Sequence, residues 1–409
     1  MREALTNILN ANEIRVLRAV YESGPISRVH LSRMLNLTRG MITLITKELL
    51  TRGFITEVGK GLSSPNRGRR EVLLHVQPNA SYIISIHIAL QYVSYGLVNL
   101  NGDIIAKQII TYQFGALPAS VLEPMCNGLE ELLKSKLDAS RPILGVGIAI
   151  PGIIKYSEGI AHERTLAGWE NFKLVDYIEE RLGYPVFIEN DVKTITLGEY
   201  QFGTGNHVRN LVCLWLEDGI GSGIINNGRI IRGGTSSAGE IGFCEFILNL
   251  PSQKSILTSE QPKFWGDLVS FTNLKKTIKK GVDEGWTTVL KKDASIDDYI
   301  QAMETGDPLA LYINRLLGQI VGKMCLFLIY SFNPQVLILS GPLFYRAPLL
   351  VDEIRKQINT GVLRTPIDAI EIRTSILGED SVTIGCAALV LDHMLNASVM
   401  NSENPKVYY

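Results

Sequence analysis

Apolar residues recur at the spacing of one helix face through the first fifty positions. Ile14, Leu17, Val20 and Tyr21 line a helix over NEIRVLRAVYES, which Gly24-Pro25 ends. Ser27 is placed to cap a second, short helix, SRVHLSRML, with Val29, Leu31, Met34 and Leu35 as its inward face. Thr38 then caps TRGMITLITKELLTRG, with Ile42, Ile45, Leu49 and Leu50 inward and Gly53 as its stop. Two helices joined by the tight turn Asn36-Leu37, the second capped by Thr, predict a helix-turn-helix. The following FITEVGKGLSSPNRGRREVLLHV reads as two strands around a Gly-, Ser- and Pro-rich tip, which makes a wing.

From Ala80 the period shortens. SYIISIHI, QYVSYGLVN and GDIIAKQIITY are three β-rich runs, with Asn101-Gly102 as a hairpin turn. A helix over Ala119 to Leu137 leads to the strand ILGVGIAIPG, a helix over Phe172 to Leu182, the strand PVFIEN and a helix from Asp191. A second series starts near Asn210 with the strand NLVCLWLED and a hairpin at Asn226-Asn227-Gly228. It continues through a mixed, mostly helical stretch at 251–310, the long apolar helix LALYINRLLGQIVGKMCLFLIYSF, the strand PQVLILSGPL and a final helix, DSVTIGCAALVLDHML. This order predicts an α/β protein: a winged head at 1–78, a first lobe at 79–205 completed by the helix at 380–395, a second lobe at 206–379 and a loose tail at 396–409.

Charge sharpens this division. The net charge is only -1, yet residues 1–75 carry 12 Lys and Arg against 6 Asp and Glu, while the remainder carries 28 against 35. A basic head on an acidic body points to nucleic acid as the head's partner. Thr38, Arg39, Gly40 and Thr43 project outward from the third helix toward base edges, and Ser27 joins them as a candidate. Lys60, Arg67, Arg69 and Arg70 of the wing suit phosphates or the minor groove. The 46% hydrophobic and 20% charged content excludes a disordered chain. Without an uninterrupted apolar run of about 18 residues no membrane span is expected, and the N-terminus lacks the apolar core of a signal peptide, so the expected location is the cytoplasm. Cys126, Cys213, Cys244, Cys325 and Cys386 have no disulfide or metal spacing and read as buried thiols.

Asn190 and Asp191 fall on a strand-to-helix turn, where side chains at the carboxyl edge of a sheet meet ligands. A carboxylate there accepts a proton or a hydrogen bond from a bound hydroxyl. The same residue types are favoured helix N-caps, and at this point both roles remain open.

Seven segments in order resemble the ROK family: the GRRE of the wing, IAIPGII, TLAGWENFKL, ENDVKTITLGEYQFG, DGIGSG, RGGTSSAGEIG and LILSGPL. The family comprises bacterial sugar kinases and repressors of sugar metabolism that keep the kinase fold behind a winged head. The resemblance implies two ribonuclease-H-like lobes, as in actin and hexokinase, closing on a ligand cleft. It also implies operator DNA and a sugar or sugar derivative as partners, a homodimer or homotetramer, and Gly152, Thr165, Asn190, Asp191 and Glu240 as ligand residues.

Three departures qualify the resemblance. His87-Ile88-Ala89-Leu90-Gln91-Tyr92 replaces the Asp-Ile-Gly-Gly-Thr-Lys turn that cradles ATP phosphate in the kinases, so no catalytic residue or cofactor is expected. Phe243 stands where a zinc-binding His would follow Gly239-Glu240-Ile241-Gly242, and no cysteine cluster follows, so no zinc is expected and packing is left to hold residues 247–264. Thr165 replaces an Asn of the sugar cage, and Gly266 stands near its last Glu with Asp267 one position away. The reading is a sugar-responsive repressor; its rivals are a sugar kinase with a fused head and a ligand-independent DNA-binding oligomer.

Overall fold

The computed structural model describes residues 9–60, 71–137, 141–163, 166–206, 208–245 and 264–400. By packing the chain forms two units, Met1–Gly198 with Val382–Tyr409, and Glu199–Ser381.

The first unit begins with α1 (Ala11–Ser23), whose start is fixed by a reciprocal cap. The Asn10 side chain accepts the backbone N–H groups of Asn12 and Glu13, and Glu13 accepts that of Asn10. There follow β1 (Ile26–Ser27), α2 (Arg28–Leu35), α3 (Arg39–Thr51), β2 (Ile55–Lys60) and β3 (Val72–Val76), the strands ordered β1-β3-β2. Of the four inward positions expected on α2, only Leu31 is buried, and Met34 is 54% exposed. Met34 lies about 60° round the helix from Leu31, outside the narrow stripe that eight residues can bury.

The lobe of this unit is a five-stranded sheet. β4 (Tyr82–Ile88), β5 (Tyr92–Asn99) and β6 (Ile104–Thr111) form an antiparallel meander, β7 (Ile143–Ile150) runs parallel to β4, and β10 (Val186–Asn190) runs parallel to β7. β8 (Ile153–Lys155) and β9 (Ile160–Glu163) make a separate ribbon, so the sheet order is β10-β7-β4-β5-β6. Covered by α4 (Pro118–Lys136) and α5 (Leu174–Leu182), the sheet has a fully buried β7, as a continuous apolar run demands.

The second unit repeats this order. β11 (Leu211–Leu216), β12 (Ile220–Asn226) and β13 (Arg229–Ile230) form the meander, with β14 (Val336–Ser340) and β15 (Glu371–Thr374) added in parallel, giving β13-β12-β11-β14-β15. Both units thus have the ribonuclease-H-like arrangement. Helix α6 (Asp191–Gln201) runs across the boundary, which packing puts seven residues before the expected one at 205/206. Glu199 explains the shift: its buried carboxylate accepts the Ser375 hydroxyl and the backbone N–H of Thr204 at 3.1 Å, both in the second unit.

Helix α7 (Pro308–Phe332) is long and apolar enough to cross a membrane by length and composition alone, a test that a buried core helix also passes. Arg315 and Lys323 interrupt its apolar run. Leu309, Ile313, Leu317, Ile320, Met324 and Leu328 are buried in the core of the second unit.

The last helix, α8 (Ser381–Met400), belongs to the first unit and continues past the expected start of the tail at 396; residues 401–409 lie outside the described residues. The Cys386 thiol donates to the Ile86 carbonyl at 3.4 Å. Farther along, Leu391, Met394 and Leu395 line an apolar seam with Leu17, Tyr21, Phe54 and Val76 of the head and Leu100 and Leu144 of the lobe. The Tyr21 hydroxyl closes that seam by donating to the Leu100 carbonyl at 2.5 Å.

Candidate functional site

Helix α3 divides cleanly into two faces. Ile42, Ile45, Thr46 and Leu49 are buried, while Thr38, Arg39, Gly40, Met41, Thr43, Leu44 and Lys47 are exposed. Thr38 caps the helix by accepting the Met41 N–H at 3.2 Å, and the Thr43 hydroxyl donates to the Arg39 carbonyl at 2.8 Å. Arg28 is engaged in holding the head together, donating to Thr46 at 3.0 Å and to Glu57 at 2.9 Å. Thr38, Arg39, Gly40 and Thr43 are therefore presented outward, as the sequence pattern required. That reading left out Met41, Leu44 and Lys47, although their spacing from the buried stripe places them on the same side.

Ser27 is a correction. It is 2% exposed, pairs with Leu73 across the sheet, and caps α2 by accepting the His30 N–H at 3.3 Å. Its hydroxyl also holds the Glu71 carboxyl below its ordinary pKa. A hydroxyl committed inside the head has no path to a base edge. Lys60 ends β2 opposite Val72, while Arg67, Arg69 and Arg70 lie outside the described residues.

In the lobe, β10 delivers Asn190 and Asp191 to the start of α6. Asn190 is 5% exposed and acts as a clamp. Its Nδ2 donates to the Gly152 carbonyl at 3.0 Å, its Oδ1 accepts the Lys193 N–H at 3.2 Å, and its own carbonyl accepts the Thr194 hydroxyl. Gly152 has φ +95°, a conformation that glycine adopts without strain. Asn190 thus fixes the turn and the 151–152 loop relative to each other. Asp191 accepts the Val192 N–H at 2.8 Å. Burial pushes its carboxyl pKa up, against the opposing pull of that N–H and of Lys193. A carboxylate held under this desolvation gains from a donor such as a ligand hydroxyl.

Glu240 sits in the second unit at the start of a short turn, Ile241–Phe243. The backbone N–H and the hydroxyl of Ser222 both donate to the Gly239 carbonyl, at 2.9 and 3.0 Å. A Cβ on Gly239 would stand 1.8 Å from the Ser222 carbonyl oxygen, so the DGIGSG and GEIG segments are locked together and orient Glu240. Asp267 instead accepts the Phe264 N–H at 3.2 Å as a helix cap, and Thr165 lies outside the described residues.

The turn that corresponds to the kinase phosphate cradle is closed on itself. The Ala89 N–H donates to the Tyr92 carbonyl at 2.9 Å, and the Tyr112 hydroxyl donates to the Ala89 carbonyl. Burial pushes His87 down to about 4, and its ring meets Tyr92 edge-on at 5.5 Å. The residues at the GEIG segment do not fit a zinc site: Phe243 packs against Phe264, and Cys244 is the one thiol beside it. Among the described residues no three His, Cys, Asp or Glu side chains cluster as metal ligands. Most of the 247–264 loop, expected to be held by packing, falls outside the described residues.

Against known proteins, the MarR family profile matches residues 9–57 and the ROK family profile matches residues 83–393. The xylose repressor of Caldicellulosiruptor bescii is 27% identical over 396 residues, spanning 96% of this chain and 98% of that protein. The DNA-binding transcriptional dual regulator NagC of Escherichia coli is 25% identical over 399 residues, 95% of this chain and 94% of NagC. Among solved structures, a ROK family transcriptional regulator homologous to the E. coli MLC protein superposes with a TM-score of 0.79 at 24% identity, covering 95% of this chain and 97% of that one. A ROK family glucokinase from Streptomyces griseus, solved with glucose and AMPPNP, gives 0.62 at 22% identity and covers 76% of this chain and 99% of its own. The match across the lobes, with a winged head before them, means that this chain belongs to the ROK family.

Proposed function

We propose that the chain is a transcriptional repressor that binds operator DNA through its winged head and responds to a sugar or sugar derivative through its kinase-like body. The observation that carries this reading is the outward face of α3, where Thr38, Arg39, Gly40 and Thr43 stand exposed at the start of a capped helix. Relatives that match over nearly their whole length are named as a xylose repressor and as a DNA-binding transcriptional dual regulator, which supports the same reading. The wing residues Lys60, Arg67, Arg69 and Arg70 are assigned to the DNA backbone. Asn190, Asp191 and Gly152 are assigned to the effector, with Asp191 as the acceptor of a hydroxyl; Thr165 and Glu240 are further candidates. A homodimer or homotetramer in the cytoplasm would space two heads for two half-sites. Effector binding controls the head if it favours one arrangement of the protein over another.

Catalysis is not part of this proposal. Phosphoryl transfer depends on backbone N–H groups open to phosphate, whereas the Ala89 N–H is engaged within the turn and Leu90 and Tyr92 carry bulky side chains. Purified protein incubated with Mg-ATP and a panel of hexoses and pentoses is expected to form no sugar phosphate; turnover on any of them would overturn the assignment. The same panel read by thermal shift should reveal the effector, because a ligand at 100 times its Kd adds about 2.7 kcal/mol to the folded state.

Asp191→Asn separates effector recognition from folding. Because burial raises the folded-state pKa, wild type loses stability as pH rises from the ordinary value of 3.8 through the folded value. An Asn side chain still accepts the Val192 N–H but carries no charge. The variant should therefore melt at least as high as wild type at pH 7, with the gap closing below pH 3.8, and should lose the effector shift. A lower melting temperature at pH 7, or an intact effector shift, would remove Asp191 from this role.

A further inference from the structure

The outward stripe of α3 carries an exposed aliphatic side chain, Leu44, that cannot take part in hydrogen-bonded base reading. Gly40, Thr43, Leu44 and Lys47 follow at i, i+3, i+4 and i+7, so they share one face of the helix. Leu44 is 71% exposed at its centre, and Met41 beside it is 42% exposed. Isolated exposed apolar residues are ordinary on protein surfaces. This one is bracketed by cations, with Arg39 at the start of the helix and Lys47 one turn beyond Leu44, both exposed. The hydroxyl proton of Thr43 is already given to the Arg39 carbonyl, which removes a donor from the same stripe.

Resting on the reading of α3 as the DNA-contacting helix, we infer that Leu44, with Met41 beside it, is a specificity residue that reads thymine 5-methyl groups. The major groove presents one apolar feature, the thymine methyl, and aliphatic side chains meet it there. Two exposed cations along the same helix suit an anionic duplex, which favours DNA over a second protein surface as the occupant of this face. Gly40, where an added Cβ would meet nothing within 4 Å, leaves the preceding turn room for close approach. The consequence is an operator half-site with thymine at one or two adjacent positions opposite Leu44.

The test starts from an operator selected from a random duplex pool with the full-length protein. Each thymine of the half-site is then replaced singly by deoxyuridine, which removes only the methyl group. Wild type should lose about 4-fold in affinity at one or two adjacent positions, the value of one buried methyl-sized group. Leu44→Ala should bind the thymine operator more weakly and be indifferent to uracil at those positions, with its salt dependence unchanged. Uniform indifference of wild type to uracil, or equal sensitivity in Leu44→Ala, overturns the inference. A pool that yields no preferred sequence also overturns it, as does a Leu44→Ala variant that changes the oligomeric mass while keeping wild-type uracil sensitivity. Arg39→Ala tells the two failures apart. If it binds as wild type does, α3 is not the DNA-contacting helix; if it weakens binding while uracil has no effect, only methyl reading falls.

Discussion

Arg39→Ala should weaken operator binding by about 5- to 150-fold, the range of about 1–3 kcal/mol that one base-contacting arginine supplies. Arg39 occupies the first turn of a helix capped by Thr38, where the positive end of the helix and the guanidinium charge would both favour an anionic partner. The residue is exposed, so its removal leaves the head intact, and the effector shift of the body should be unchanged. A binding isotherm repeated at several salt concentrations also identifies the contact. A base contact leaves the salt slope as in wild type, whereas a phosphate contact lowers it by about 1. Unchanged affinity at every salt would take Arg39 off the DNA.

Gly147→Ala should be the most damaging single-methyl change in the lobe. A Cβ there would stand 2.1 Å from the Cys386 carbonyl oxygen and 2.8 Å from its carbonyl carbon. Both atoms are backbone of α8, so no side chain can swing aside, and the helix must lift from the sheet. Overpacking of this kind costs about 1–3 kcal/mol and sometimes more, out of a total near 5–15 kcal/mol. The melting temperature should fall by several degrees or the protein should fail to accumulate in soluble form. Gly40→Ala is the control, since its added Cβ meets nothing within 4 Å. Equal melting of Gly147→Ala and wild type would refute the close approach of helix and strand.

Both predictions draw on features that the sequence revealed unequally. The head helices were legible because their apolar positions recur locally and their caps, Ser27 and Thr38, are local signals. The meanders were legible through alternating runs and the Asn101-Gly102 turn. What escaped depends on partners far along the chain. Ser27 seemed available for DNA because nothing nearby shows its pairing with Leu73. The boundary between units was misplaced because Glu199 meets Ser375, 176 residues later. Asn190 was identified as a turn residue, yet its clamp on Gly152 required knowing that two loops lie side by side. At Asn190 and Asp191 the sequence left two roles open, and Asn190 takes the cap by accepting the Lys193 N–H, while Asp191 accepts the adjacent Val192 N–H and burial raises its carboxyl pKa.

The return of α8 to the first unit also sets a timetable for biogenesis. The head and the first five-stranded sheet leave the ribosome early, but the seam beneath the head is lined by Leu391, Met394 and Leu395 as well. Those residues follow the whole of the second unit in the chain. At about 5–20 residues per second, Leu17, Tyr21 and Phe54 wait on the order of tens of seconds for their partners. During that interval the underside of the head has only Leu100 and Leu144 of the lobe to cover it, which leaves part of its apolar surface open to chaperones and proteases. A nascent chain interrupted before residue 382 therefore carries every DNA-facing residue of α3 and still lacks the floor on which the head rests.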